Sequence, residues 1–325
     1  MPDRRPWQEA WQDALYGPAG FYRRPEGPAG HFRTAAHASS TGLLGAALAR
    51  LARAAGCAAV LDVGAGRGEL LRAVRAADAD LRLTGVDLVD RPPGLPDDVV
   101  WATAPTPPDR PTLIVAWELL DVVPVPVLAV DDDGRLRVVE VARDGSEGLG
   151  GPASPDDAHW AGRWWPVTRP GDRVEVGRPR EEAWARLVGL LAGTGGLALA
   201  VDYGHDAAGR PPQGTVAGYA AGRRVPAVPD GGCDITAHVA LDALAAVRPG
   251  STRVRQREAL RALGVDPGRP SSDLAGSDPV AYLEALSRAG EAAELLDPEG
   301  LGGFGWVLHP EGSAARRAVR DLVGP

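Results

Sequence analysis

The residues best suited to chemistry in this chain are the glycines and acids of one short stretch. In A-A-V-L-D-V-G-A-G-R-G, residues 58–68, the apolar run Ala59 to Val63 reads as a buried parallel strand. It breaks at Gly64, Gly66 and Gly68, just before a helical run from Glu69 to Ala77. Gly64 can take the positive φ of a tight turn, Gly66 leaves no Cβ between backbone and ligand, and Gly68 lets the helix begin close against the strand. Strand, glycine turn and helix together make a ligand-binding shape. The competing reading is an ordinary strand-to-helix turn in a glycine-rich chain.

The spacing narrows the ligand. It is G-x-G-x-G rather than the dinucleotide fingerprint G-x-G-x-x-G, and no lysine follows to make a phosphate loop. That favours S-adenosylmethionine, whose methionyl end needs close backbone and which carries no pyrophosphate. A second strand, Leu81 to Leu88, ends in Gly85-Val86-Asp87, with the acid 23 residues after Gly64. In a βαβ unit Asp87 then stands at the carboxyl end of the neighbouring strand, where a carboxylate accepts both ribose hydroxyls of an adenosyl ligand. The alternative role for Asp87 is a helix N-cap.

Acids recur at strand ends. Leu113 to Ala116 runs into Trp117-Glu118-Leu119-Leu120-Asp121, and Leu197 to Val201 runs into Asp202-Tyr203-Gly204. Four apolar strands therefore finish in polar or glycine residues, and parallel strands put such ends along one edge of a sheet, which predicts a single cleft. Asp62, Gly64, Gly66, Gly68, Asp87 and Glu118 are the expected cofactor residues. No metal site is expected.

The elements that must carry these residues read as follows. Pro6 to Leu15 is a short helix, with Trp7, Trp11 and Leu15 on one face, ended by Gly17-Pro18. An aromatic loop with Phe21, Tyr22 and Phe32 follows, suited to a lid or simply to anchoring. Ser39, Ser40 or Thr41 caps a helix to Ala55. Beyond the glycine strand come Val99 to Thr103, a hairpin of Val127 to Val130 and Leu136 to Val141, and a Trp-bearing insertion at Asp144 to Arg169, outside the repeating strand and helix. Asp172 to Val176 rejoins the hairpin, and Glu181 to Leu191 is helical. Arg210 to Gly232 reads as a long loop, and Asp234 or Thr236 caps a helix to about Val247. Arg257 to Leu263 and Val280 to Leu296 look helical, and Phe304 to His309 is a closing strand.

Composition sets limits. The 325 residues suffice for one large α/β domain with insertions or two smaller ones. All 35 basic residues are arginine, which removes Schiff-base chemistry and the phosphate-loop lysine together. A formal charge of −8 argues against nucleic acid as a partner and suits a cationic ligand such as a sulfonium. Two cysteines, Cys57 and Cys233, offer neither metal spacing nor a disulfide framework, and no apolar run approaches membrane-spanning length. A cytoplasmic protein is expected.

Several segments taken together resemble the MidA family of S-adenosylmethionine-dependent methyltransferases, which includes the mitochondrial complex I assembly factor that methylates a protein arginine. The resemblance lies in Tyr16-Gly17-Pro18-x-Gly20-Phe21-Tyr22, Phe32-x-Thr34-Ala35, the Gly64/Gly66/Gly68 loop, Glu118-x-x-Asp121, Asp202-Tyr203-Gly204, Asp234-Ile235-Thr236-Ala237-His238-Val239 and Gly303-Phe304. It implies a Rossmann-like α/β fold, a mostly parallel seven-stranded sheet with helices on both faces. To this would be added an N-terminal helical or lid segment (1–56), an insertion at about 122–180 and a substrate-side segment at about 205–300. It also implies S-adenosyl-L-methionine as cofactor. His31, His37 and Trp117 depart from the family's pattern.

An arginine acceptor needs carboxylates to orient its guanidinium. Glu118, Asp121 and Asp234 are the expected catalytic residues, with Tyr22, Phe32, Tyr203, Thr236 and His238 on the substrate side. A small-molecule N- or O-methyltransferase is the nearest alternative, a non-catalytic assembly protein retaining the fold is another, and a nicotinamide oxidoreductase is third. A homodimer is a further expectation.

Overall fold

A computed structural model describes residues 3–24 and 41–324. In chain order the elements begin with β1 (Arg5–Pro6), α1 (Trp7–Tyr16), α2 (Leu43–Ala54), β2 (Ala59–Val63), α3 (Glu69–Ala77), β3 (Arg82–Val86), β4 (Val100–Ala102) and β5 (Thr112–Trp117). The middle of the chain gives β6 (Val127–Val130), β7 (Leu136–Val141), β8 (Glu147–Pro152), α4 (Pro155–Trp164), β9 (Arg173–Glu175), α5 (Arg178–Gly189) and β10 (Gly196–Asp202). Short pieces follow: β11 (Gly204–His205), β12 (Ala217–Ala220), β13 (Arg223–Val225), β14 (Asp234–Thr236), β15 (Val239–Ala240) and α6 (Leu241–Ala246). The chain closes with β16 (Thr252–Arg255), α7 (Gln256–Ala262), α8 (Ser272–Ser277), α9 (Pro279–Leu296), β17 (Gly305–Glu311) and α10 (Ser313–Val323).

These elements form two compact units, each assembled from three separated segments. The parallel-sheet unit takes Arg33–Trp117, Leu187–Val201 and Gly250–Pro325. Its seven strands run in the order β16-β17-β10-β5-β2-β3-β4. β10, β5, β2, β3 and β4 are parallel to their neighbours in that run, and β16 pairs antiparallel with β17. Register puts Val60 beside Leu113 and Leu83, so the middle strands are apolar on both faces, as a sheet buried between layers requires. Leu44, Leu48 and Leu51 of α2, Leu71 and Val74 of α3, and Leu113, Leu199 and Leu308 of the sheet share one core. Gly42, not a serine or threonine, is the residue preceding α2; Ser39 and Ser40 lie outside the described residues.

The small-sheet unit takes Met1–Phe32, Glu118–Arg186 and Asp202–Pro249. Trp7, Trp11 and Leu15 of α1 pack with Val127, Val139 and Val141 of the β6–β7 hairpin and with Ile235. Trp160 and Trp165 pack with Leu128, Val174 and Val176. Within Asp144 to Arg169, β8 pairs with β7, and α4 is capped by Ser154 with Pro155 at its first position. Arg210 to Gly232 contains the β12–β13 hairpin.

The segment from Asp234 is the main correction. Asp234, Ile235 and Thr236 do not open a helix but form β14, paired antiparallel with Tyr219, Gly218 and Ala217. β-branched Ile235 and Thr236 favour the pleated pairing that β12 offers, and only at Leu241 does a helix begin. No helix among the described residues is long and apolar enough to cross a membrane.

Candidate functional site

In the parallel-sheet unit, β2 ends where the chain turns away from the sheet. Gly64, Gly66 and Gly68 all have positive φ, at 79°, 56° and 75°. At Gly66 an added Cβ would meet nothing nearer than Glu69 Oε2 at 3.9 Å, so the bare backbone faces open space. At Gly68, which precedes the first turn of α3, it would lie 2.7 Å from Leu95 Cδ1. Two different needs thus select glycine in one loop, exposure of backbone at Gly66 and close packing at Gly68.

Asp87 follows the last residue of β3 and turns toward this loop: Gly66 N donates to Asp87 Oδ2 at 2.8 Å and Val89 N to Oδ1 at 3.2 Å. Burial raises its pKa while these amides pull it down. Asp62, only 3% exposed, is pushed up to about 7, by burial first and then by Asp87 and Glu69. Three carboxyl groups around one exposed backbone suit a ligand that is cationic and needs close amides, which describes S-adenosylmethionine. The residues fit that group: Gly64, Gly66, Gly68 and Asp87 could hold it, and Asp62 and Glu69 could supply a negative field.

The small-sheet unit carries the other expected residues. Glu118 begins the second of its three segments, with a left-handed backbone at φ 49° that is costly for a residue with a side chain. The turn it starts is held by Asp202, whose Oδ2 accepts from Leu120 N at 3.0 Å and Asp121 N at 3.1 Å. Tyr203 donates its hydroxyl to Asp121 Oδ2, and Thr236 reaches the same phenol oxygen. Tyr22 donates to Asp234 Oδ1 at 2.9 Å and stacks on Tyr16 at 5.5 Å. Tyr203 also meets the His238 ring at 5.2 Å. Asp121, Asp234, Tyr22, Tyr203, Thr236 and His238 are therefore in one neighbourhood, whereas Phe32, His31 and His37 lie outside the described residues.

Arg180 organises this neighbourhood, and no motif marks it in the sequence. Its guanidinium donates to four main-chain carbonyls: Asp121 at 2.7 Å, Val123 at 3.2 Å, Ala237 at 3.0 Å and His238 at 2.9 Å. Those bonds rivet the turn after β5 to the chain after β14, yet none goes to a carboxylate. Asp121 Oδ1 and Asp202 Oδ1 are buried with no hydrogen-bond partner among the described residues. Burial raises the pKa of both, and for Asp202 the neighbouring Asp121 and Glu118 raise it further. Asp234 is pushed up to about 7 by burial and then by Asp121. The charge of Arg180 pulls Asp121 and Asp202 down, but burial outweighs it. Only the run of acids at strand ends could have hinted at Asp202, which serves the site from a position read as part of a motif.

Trp117, one residue before Glu118, lies in the core of the parallel-sheet unit, edge-to-face with Trp306 at 5.8 Å. This departure from the family's pattern is thus a packing residue, with an indole Nε1 that has no partner among the described residues.

A family profile described as "Putative S-adenosyl-L-methionine-dependent methyltransferase" matches residues 79–257, more than half of the chain. A crystal structure from Burkholderia thailandensis, of a protein in the superfamily of the MidA proteins bound to S-adenosyl-homocysteine, superposes with a TM-score of 0.75 at 24% identity. The match covers 96% of this chain and 88% of that one. A native crystal structure from the same superfamily and organism gives 0.75 at 23% identity, covering 96% and 90%. At these identities the likeness establishes the fold. No curated protein matches the sequence.

Proposed function

Because the chain belongs to the MidA family of S-adenosyl-L-methionine-dependent methyltransferases, we propose that its methyl acceptor is the guanidinium of a protein arginine. The observation that carries this reading is a pair of buried carboxylate oxygens without a hydrogen-bond partner among the described residues, Asp121 Oδ1 and Asp202 Oδ1, beside an Arg180 whose N–H groups donate to carbonyls. A planar cation with paired N–H donors answers both deficits, because it neutralises the acids and satisfies their lone pairs.

When bound, S-adenosylmethionine would supply an activated methyl on a sulfonium, whose transfer to the acceptor nitrogen would leave the C–S pair on sulfur as a neutral thioether. The chain's residues position and deprotonate. Asp121 and Asp202 orient the guanidinium, and Tyr203 fixes the rotamer of Asp121. Asp234, held by Tyr22, takes the proton that the methylated guanidinium gives up. Glu118, strained at the head of the turn, helps orient the acceptor. Two buried free thiols, Cys57 and Cys233, suit a reducing cytoplasmic setting.

The test is incubation with methyl-labelled cofactor and separated cell-extract fractions. Label recovered as methylarginine in the protein fraction supports the reading. Label only in metabolites assigns the protein to small-molecule N- or O-methylation, and none in either assigns it to a non-catalytic role.

A further inference from the structure

His205 has no part in the chemistry above, yet its environment is built with care. It lies on β11, held parallel to β15 with His205 beside Ala240, and is 9% exposed. Arg210 is clamped around it: Nε donates to Trp164 O at 2.8 Å, Nη2 to Asp242 Oδ1 at 2.5 Å, and Nη1 to the His205 carbonyl at 3.1 Å. Nη1 also lies 2.5 Å from His205 Nδ1. A guanidinium only donates, so Nδ1 must accept, and the ring proton is left on Nε2. Burial, then Arg210 and His238, push the pKa down to about 3, so the ring stays neutral while Asp242 balances the charge of Arg210.

The result is a fixed N–H donor at Nε2, buried and without a hydrogen-bond partner among the described residues. Trp165 packs against the ring at 4.5 Å and His238 lies 6.2 Å away. His238 also touches Tyr203, whose hydroxyl is on Asp121, so this donor belongs to the same neighbourhood as the acceptor carboxylates. Tyr203 and His205 are two residues apart, roughly 7 Å in extended chain. That is comparable to the length of an arginine side chain. A donor beside a balanced ion pair attracts an oxygen and offers nothing to a second cation.

We propose that His205 Nε2–H hydrogen-bonds a main-chain carbonyl of the methyl acceptor, so that the small-sheet unit reads the amide backbone beside the target guanidinium. This rests on the arginine reading and adds a specificity residue to it. It predicts discrimination between peptide-borne arginine and bare guanidines.

The experiment compares N-acetyl-arginine N-methylamide with n-propylguanidine as ligands of the full chain saturated with S-adenosyl-homocysteine. Calorimetry gives their dissociation constants in the native protein, in His205→Phe, and in His205→Gln, which keeps a donor. Native protein is expected to bind the amide-flanked probe roughly tenfold more tightly. His205→Phe should erase that advantage, and His205→Gln should restore most of it. Equal binding of both probes by native protein, or an advantage that survives His205→Phe, overturns the carbonyl subsite and leaves the arginine reading standing. Binding of neither probe overturns both. Should His205→Phe misfold, two-bond ¹H–¹⁵N spectra of native protein decide: a proton on Nε2 from pH 5 to 8 whose shift moves with the amide probe and not with the guanidine supports the subsite. A proton on Nδ1, or no such selective shift, overturns it.

Discussion

The amide of Gly66 donates to Asp87 Oδ2 at 2.8 Å, which ties the carboxyl end of β3 to the loop after β2. Each carboxylate oxygen keeps a second lone pair, so Asp87 can hold the loop and a ribose diol together. Asp87→Ala removes both, and a charge-assisted bond of about 1.5–3 kcal/mol corresponds to a tenfold to hundredfold loss of S-adenosylmethionine affinity. Calorimetry measures it, and unchanged affinity would remove Asp87 from the cofactor site.

Gly66→Ala separates backbone approach from folding. A Cβ at φ 56° costs about 1–2 kcal/mol but clashes with nothing among the described residues. Denaturant unfolding should register that modest loss, while cofactor affinity should fall by more than tenfold. Gly68→Ala should instead cost stability chiefly, because its Cβ meets Leu95 at 2.7 Å.

Asp62 predicts a pH dependence. Its folded pKa of about 7 stands above its ordinary 3.8, so its contribution to stability is fully present below pH 3.8 and is lost as pH rises through 7. A bound cation favours the ionised form and opposes that loss. S-adenosylmethionine affinity should rise between pH 6 and 8, with proton release seen as a buffer-dependent binding enthalpy. Asp62→Asn should flatten the profile.

The parallel strands and the glycine loop were legible because each is local: Ala59 to Val63 is apolar on both faces, and three glycines in five residues can serve few purposes. Asp234-Ile235-Thr236 misled because Asp and Thr cap helices as readily as they enter strands, and β12, which decides the matter, lies in a stretch that reads as loop. Arg180 was illegible for a stronger reason. Its four acceptors come from main chain 57 to 59 residues away in both directions, and carbonyls leave no trace in residue type.

Asp202→Ala should leave the Leu120 and Asp121 amides buried without an acceptor, at about 1–3 kcal/mol each. Asp202→Asn retains an oxygen for both. Thermal unfolding should therefore separate the two variants by several degrees, while both lose affinity for an arginine analogue. An alanine variant as stable as the native chain would contradict the anchoring role.

Tyr22→Phe tests Asp234 as the proton acceptor. The phenol lowers the Asp234 pKa by hydrogen bonding, so its removal should move the rising limb of the rate profile from near pH 7 to higher pH. An unmoved limb would assign the proton to another group.

Each unit draws on three stretches of polypeptide, and the stretches alternate. The ribosome must therefore deliver Pro249 before the small-sheet unit owns all its parts, and α10 (Ser313–Val323) before the parallel-sheet unit does. No single cut yields a self-sufficient half, so dissecting this protein calls for grafting one unit's segments through designed loops rather than truncation.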